Sequence, residues 1–386
     1  MTSRERMLAA LRHHEPDRVP LDLGSTQVTT IAAAAYTPLR AHLGLPDRPP
    51  DVIDLIQQAV RPHDDLLDLW GVDTRGLFPL TSANWQIDHT DAGDHWDAVD
   101  EWGLRYTFPK TGGLYYSLTQ SPIPGPTMPP DAPDTHPWPE PRLPERIAGL
   151  REQAETSRAR GKLVVLKGYC AGLVEMAERL RGMENFLCDL MLDPAGATRL
   201  MHRILDLKLA FWDMALDTLA DVVDVVMEAD DFGTQDSTLV PPRVFREVVR
   251  PLQSQLIAFL RQRIGPDRFI LFHSCGSVRE LIPDFIDMGI DILNPVHTRA
   301  AGMDPIALKR DFGRDIVFWG GGVDTQGVLP HGTPQEVRDD VRRNIEALAP
   351  GGGFVFNTVH NIQADVPPAN LVAMWEALQE FGLRPA

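Results

Sequence analysis

The chain has 386 residues, 43% of them hydrophobic, with 54 acidic against 37 basic side chains and a formal net charge of -17. A field of that sign repels phosphate backbones and anionic lipid, and the arginines are interleaved with acids, so no nucleic acid or membrane surface is expected as a partner. Cys170, Cys188 and Cys275 are too few for a disulfide framework and fit a reducing, cytoplasmic setting, and no apolar run of about 18 residues is present to span a bilayer.

In chain order, residues 1–14 (MTSRERMLAALRHH) are charged and amphipathic, lack the apolar centre of a secretory signal, and read as a starting helix. The extended stretch RVPLDLG at 18–24 follows, then a helical stretch near 50–70 and a strand near 72–78. The run at 122–144 is too rich in proline for a helix or a central strand. Its neighbourhood holds Trp96, Trp102, Tyr106, Tyr115, Tyr116 and Trp138, and such aromatic density argues for an ordered covering segment rather than a disordered linker.

From 160 onward, short β-branched runs alternate with longer amphipathic ones. Strands are expected at 163–168, 222–228, 269–273, 290–294, 315–320 and 354–359. Helices are expected near 174–191, 195–219, 242–264, 277–288, 304–311, 334–348 and 367–381. Pro194 after Asp193, Pro242, and Thr333-Pro334 with Glu336 are helix-start signals. Unbroken apolar strands alternating with helices indicate a parallel sheet covered on its faces.

Six such strands, the one near 72–78 and one more early in the chain would close a single α/β (β/α)8 TIM barrel over 1–386, with an N-terminal extension and the proline- and aromatic-rich cover. An open doubly wound sheet is the alternative. Polar or glycine-rich groups end nearly every strand: Lys167-Gly168-Tyr169, Glu228 to Asp231, His273 to Gly276, Asn294 to His297, Gly320 to Asp324, and His360. Chemistry spread over many strand ends is the barrel pattern, whereas an open sheet gathers it at one switch point.

Within FHSCG (272–276), His273 and Cys275 lie two apart at a strand end, so both can face one way and chelate zinc; a buried histidine beside an inert core cysteine is the other reading. In VMEADDFGTQ (226–235), Glu228, Asp230 and Asp231 crowd three carboxylates that could complete a metal site or act as acid and base, or simply form a solvated, capping loop. His360 closes the last strand as a third metal ligand, a proton donor or a structural histidine. Asp73 and Arg75, with Asn294 and Asp324 at other strand ends, are candidates for orienting a substrate; a surface ion pair is the competing reading for the first two. The glycine runs at 320–323 and 351–353 match no phosphate-loop pattern.

The stretches RERMLAALRHHEPDRVPLDLG, LLDLWGVDTRGL, DEWG, EADDFGTQDSTLVPPRVFREVVRP, FHSCGSVRELIPDFIDMGIDILNPV, FWGGGVDTQGVLPHGTPQEV and FNTVHNIQADVPPANLVAM resemble the uroporphyrinogen decarboxylase superfamily nearly end to end. That resemblance implies a (β/α)8 barrel and one of two activities: cofactor-free decarboxylation of a porphyrinogen, or zinc-dependent methyl transfer between a corrinoid and an acceptor. Decarboxylases of the superfamily carry an arginine-rich segment near the N-terminus, where this chain reads DLGSTQVTTI with no arginine between Arg18 and Arg40, so charge-assisted pairing with a polyanion is missing there. The HxCG segment looks like the zinc motif of the methyltransferase branch. In the thiol methyltransferases a second cysteine stands near the end of the last strand, where this chain has His360.

The resemblance therefore implies Zn²⁺ on His273 and Cys275; the residues at the other strand ends add His360 as a third ligand, Glu228 or Asp230 as a fourth, and Asp231 as a proton shuttle. It also implies methylcobalamin as methyl carrier, a corrinoid protein as partner, and tetrahydrofolate or a thiol as the small-molecule acceptor; a homodimer stays open. A metal-free lyase of the same fold and a non-catalytic corrinoid-binding module are the alternatives.

Overall fold

In the computed structural model, residues 1–383 are described. The first helix, Ser3–Leu11, starts with a reciprocal cap in which Thr2 Oγ1 accepts from Glu5 N and the Glu5 carboxylate accepts from Thr2 N. Three strands, β1 (Ile31–Ala32), β2 (Asp51–Asp54) and β3 (Ala59–Arg61), pair antiparallel. The helix expected over 50–70 is thus mostly a hairpin, followed by the short helix Asp64–Leu69. Strand β4 (Thr74–Leu77) comes next, then an antiparallel meander of β5 (Asp88–Asp91), β6 (His95–Val99), β7 (Arg105–Pro109) and β8 (Ser117–Gln120).

The regular half supplies β9 (Leu163–Lys167), β10 (Val225–Ala229), β11 (Phe269–His273), β12 (Ile292–Asn294), β13 (Val317–Trp319) and β14 (Phe354–Val355). With β4 they form one parallel sheet in the order β14-β13-β12-β11-β10-β9-β4. The ring is completed by the extended residues 19–23. Leu21 bridges Phe356 in parallel, Phe356 N donates to Pro20 O at 2.8 Å, Asp22 N to Phe356 O at 2.9 Å, and Asp73 N to Leu21 O at 2.9 Å. The fold is the expected α/β barrel, closed by an irregular piece rather than an eighth regular strand.

Strand parity sorts the apolar residues into two layers. Leu163, Val165, Val225, Met227, Leu271, Ile292, Val317, Trp319 and Val355 fill the barrel interior, and Met7 and Leu11 of the first helix plug its N-terminal end. The alternate residues, such as Val164, Leu166, Val226, Ile270, Phe272 and Leu293, face the surrounding helices. Those helices are Leu150–Ala159, Leu173–Arg181, Met183–Leu192, Pro194–Leu219, Arg250–Ile264, Ile282–Met288, Pro305–Phe312, Pro334–Leu348 and Pro368–Phe381. The helix expected over 174–191 breaks at Gly182, whose φ of 84° is left-handed.

The cover is ordered, in two parts. In the meander, Tyr106 turns inward toward the barrel mouth, and Tyr116 N donates to Ile56 O at 2.9 Å. The proline-rich part instead lies on the helix layer: Ile123 N donates to Leu180 O at 2.9 Å, Trp138 stacks edge-on against Trp102, and Arg142 pairs with Asp213 at 2.8 Å.

Candidate active site

The parity that fills the interior brings Lys167, Ala229, His273 and Asn294 to the C-terminal rim, where Ala229 lies beside His273 and His273 beside Asn294. Asn294 Nδ2 donates to Trp319 O at 2.7 Å, which fixes the amide so that its Oδ1 must accept. That oxygen is 2.6 Å from His273 Nδ1, so the ring carries its proton there and turns a bare Nε2 into the cavity.

His360, just beyond β14, is held in the same manner. Asn361 Nδ2 donates to Gln57 Oε1 at 3.1 Å, so Asn361 Oδ1 accepts from His360 Nδ1 and leaves Nε2 free. The two imidazoles meet at a centroid distance of 5.5 Å and 67°. Burial, reinforced by nearby His273, pushes His360 down to about 4, so its ring is neutral, as a metal ligand requires.

Cys275 follows β11 on a bend, with Sγ 3.4 Å from His273 Nε2. Its backbone N donates to Asp231 Oδ1 at 2.8 Å, and that oxygen lies 3.6 Å from His273 Nε2. Two glycines permit this approach: Gly276 has φ 83°, and a Cβ there would meet Gly233 C at 2.3 Å, while one on Gly233 would meet Cys275 O at 2.4 Å. Burial, then the charges of Asp231 and Glu175, hold the Cys275 thiol well above its usual range, so the thiolate needs a cation beside it.

One donor atom from each of His273, Cys275 and His360 lies within 4.8 Å of the others. Tetrahedral zinc with nitrogen at ~2.0 Å and sulfur at ~2.3 Å places those two atoms roughly 3.5 Å apart. The 3.4 Å between Nε2 and Sγ fits that geometry, and three protein donors leave one coordination position open.

The cluster opens into a cavity of ≈ 230 Å³, below the ~300 Å³ at which drug-sized pockets begin. Gln27, Asp54, Tyr106, Lys167, Glu175 and Arg179 complete its walls with Asp231. Of these only Lys167 and Asp231 were marked by their place at strand ends. The others come from the irregular segment before β1, the small sheet, the meander and the helix Leu173–Arg181, where no local motif signals them.

Several sequence expectations are corrected by parity and by end of barrel. Glu228 pairs with Phe272 on the outward face, where it accepts from Lys208 Nζ at 2.7 Å and Trp212 Nε1 at 2.5 Å. Asp230 accepts from Val174 N and Glu175 N at 2.9 Å and from Gln253 Nε2 at 2.6 Å, capping the helix that carries Glu175 and Arg179. Neither reaches the cavity. Asp73 lies at the opposite end of the barrel, bound to Arg6 and Arg18. Arg75 points outward to Asp64 and Asp68. Asp324 caps its own turn through Gln326 N and Val328 N and pairs with Arg299 at 3.1 Å. Asn294 acts on His273 rather than on a ligand.

The family model for uroporphyrinogen decarboxylase matches residues 117–381. The chain belongs to the uroporphyrinogen decarboxylase family. Among curated relatives, the uroporphyrinogen decarboxylase of Psychromonas ingrahamii is 27% identical over 191 residues, 48% of this chain and 49% of that protein. That of Pseudoalteromonas translucida is 35% identical over 94 residues, 22% of this chain and 26% of that protein. The chain thus spans about half the length, or less, of the curated relatives it matches. A solved methyltransferase from Methanosarcina mazei superposes with TM-score 0.64 at 18% identity over 99% of both chains, so the two share a fold across the whole length.

The arginine-poor segment at 22–31 is folded in on itself. Buried Asp22 accepts from Ser25 Oγ at 2.8 Å, Thr74 Oγ1 at 2.5 Å and Trp319 Nε1 at 2.9 Å, and the segment gives the cavity Gln27 and Val28 but no cation. Among the described residues, no helix is long and apolar enough to cross a membrane.

Proposed function

We propose that this member of the family is a zinc-dependent methyltransferase that moves a methyl group between a corrinoid, carried as methylcobalamin on a partner protein, and a small acceptor such as a thiol or tetrahydrofolate. The observation that carries the reading is the convergence of donor atoms from His273, Cys275 and His360, of which the two histidines line the cavity. The name of the superposed Methanosarcina mazei protein supports it.

When bound, zinc would supply Lewis acidity, lowering the pKa of an acceptor in the open position. Asn294 and Asn361 hold the two rings so that a lone pair faces inward. Asp231, half-exposed and facing His273, accepts the proton that the acceptor gives up. Tyr106 and the meander exclude bulk water. Two imidazoles and one thiolate leave more positive charge on the ion than two thiolates would, which favours a less acidic acceptor.

The decarboxylase reading asks for arginines around a polyanion, whereas the cavity offers Lys167 and Arg179 against three carboxylates. Elemental analysis separates the two. About one zinc per chain is expected by the site's ligand count, lost in Cys275→Ser. Visible spectra of methylcobalamin added together with a thiol acceptor should then report transfer of its methyl group to the thiol sulfur only with the zinc-loaded protein. A wild type without bound zinc, with activity indifferent to Cys275→Ser, overturns the proposal in favour of the lyase.

A further inference from the structure

Two lysines are buried in this barrel, and only one has what a buried ammonium needs. Lys208 donates to Glu228 Oε2 at 2.7 Å and to Cys170 O at 3.3 Å. Lys167 is 9% exposed and points into the cavity, where its single hydrogen bond among the described residues is a long one, 3.4 Å to Gly168 O. An ammonium has three donors, and leaving them short of acceptors away from water is costly. Burial accordingly pushes Lys167 below the usual lysine range.

The carboxylates of the cavity do not fill this need. Asp54 accepts from Gln57 N at 2.9 Å and Gln57 Nε2 at 3.4 Å, Glu175 is paired with Arg179, and Asp231 accepts from Cys275 N. None lies within ion-pair distance of Lys167 among the described residues. The unmet demand on this wall is therefore for an acceptor, on the same small cavity that His273 and His360 border.

We infer that Lys167, assisted by Arg179, binds a carboxylate group of the small-molecule methyl donor or acceptor, holding the molecule by that end while its reacting atom faces His273, Cys275 and His360. The assignment of the carboxylate to a reacting molecule rests on the methyltransferase reading. The anion subsite itself does not. Arg179 donates through Nη2 to Glu175 on the preceding turn, so Glu175 acts as a placeholder that an incoming carboxylate competes with.

Calorimetry with three probes tests this: 3-mercaptopropionate, its neutral analogue 3-mercapto-1-propanol, and propionate, each titrated into zinc-loaded protein. The carboxylate thiol is expected to bind roughly ten- to a hundredfold more tightly than the alcohol, the range of one charge-assisted hydrogen-bond set. The preference should vanish in Lys167→Met, persist in Lys167→Arg, and grow in Glu175→Gln, which releases Arg179. A gain in the last variant cannot come from misfolding.

Equal binding of the two thiols by wild type, a preference that survives Lys167→Met, or no binding of any probe overturns the inference. The failures are distinguishable. A protein that holds no zinc yet binds propionate through Lys167 sinks the methyltransferase reading and keeps the subsite. One that holds zinc on Cys275 without preferring the carboxylate does the reverse.

Discussion

The two ends of the barrel are built from the same residue types in opposite states. At the N-terminal end, Asp73, Asp224 and Asp291 each sit just before or at the start of a strand and each do two things. Asp73 takes Arg6 and Arg18 and the backbone N of Leu21; Asp224 takes Arg4 and Val164 N; Asp291 takes Arg261 and Ile270 N. Each of these three carboxylates is matched and ties one strand to the next. At the C-terminal end, Lys167 has one long hydrogen bond, the Cys275 thiol and His360 are held away from their charged forms, and Gln27 Oε1 and Glu178 Oε1 are buried without a partner among the described residues. Polar groups that are saturated hold a fold together, and polar groups that are not are waiting for a ligand.

The sharpest way to break this contrast is at the saturated end. Asp73→Ala removes the buried carboxylate shared by Arg6 and half-buried Arg18, leaving Arg6 with the carboxylate of Asp17 alone, and should cost about 3 kcal/mol in urea unfolding. The zinc content of the folded fraction should be unchanged. A loss of zinc in step with stability would erase the distinction between the ends.

Glu178 probes the other end through pH. Burial, then the charges of Glu175 and Asp231, push its carboxyl up to about 8 from an ordinary value of 4.5. The folded protein therefore binds one more proton than the unfolded chain between those values, so this group's contribution is full below about 4.5 and is lost as pH rises through 8. Glu178→Gln should abolish that decline, making the variant more stable than wild type at pH around 9 by on the order of a few kcal/mol. Thermal unfolding across pH 5–9 reads it, and parallel curves for the two proteins would refute it.

Smaller effects refine the picture. Asn294→Ala and Asn361→Ala each free an imidazole to rotate and are expected to weaken zinc about 10- to 100-fold, measured by chelator competition, with little change in unfolding. Arg75→Ala, which breaks two outward pairs with exposed partners, should cost about 1 kcal/mol and leave zinc and probe binding untouched.

The fold was legible because parallel strands buried on both faces announce themselves as apolar runs between amphipathic helices. The same feature hid the site. In VVME and RFILFH both parities are apolar, so the sequence does not say which of Glu228 and Ala229 shares the interior with His273; only the register of β10 against β11 does. His273, Cys275 and His360 were visible as strand-end residues, and the structure brings their donor atoms together. Asp230 misled because a helix cap and a catalytic carboxylate look alike in one dimension. Arg179 and Asp54 were beyond reach because elements distant in sequence carry them to the cavity, whereas Tyr106 was visible only as one aromatic of the cover. The hairpin at 51–61 was mistaken for helix because its residues, DVIDLIQQAVR, carry helical spacing that pairing with β1 overrides.

The seam of the ring has a consequence for how the molecule forms. Residues 19–23 are among the first in the chain and their neighbours around 356 among the last, as in the 3.0 Å hydrogen bond from Asn357 Nδ2 to Asp22 O, 335 residues apart. Contacts at that separation carry the largest loop-closure penalty and reward only a chain whose intermediate strands are already in place. The cylinder should therefore assemble as an open, curling sheet that zips shut last beside His360, and the rim that carries His273, Cys275 and His360 is complete only when that final gap is sealed.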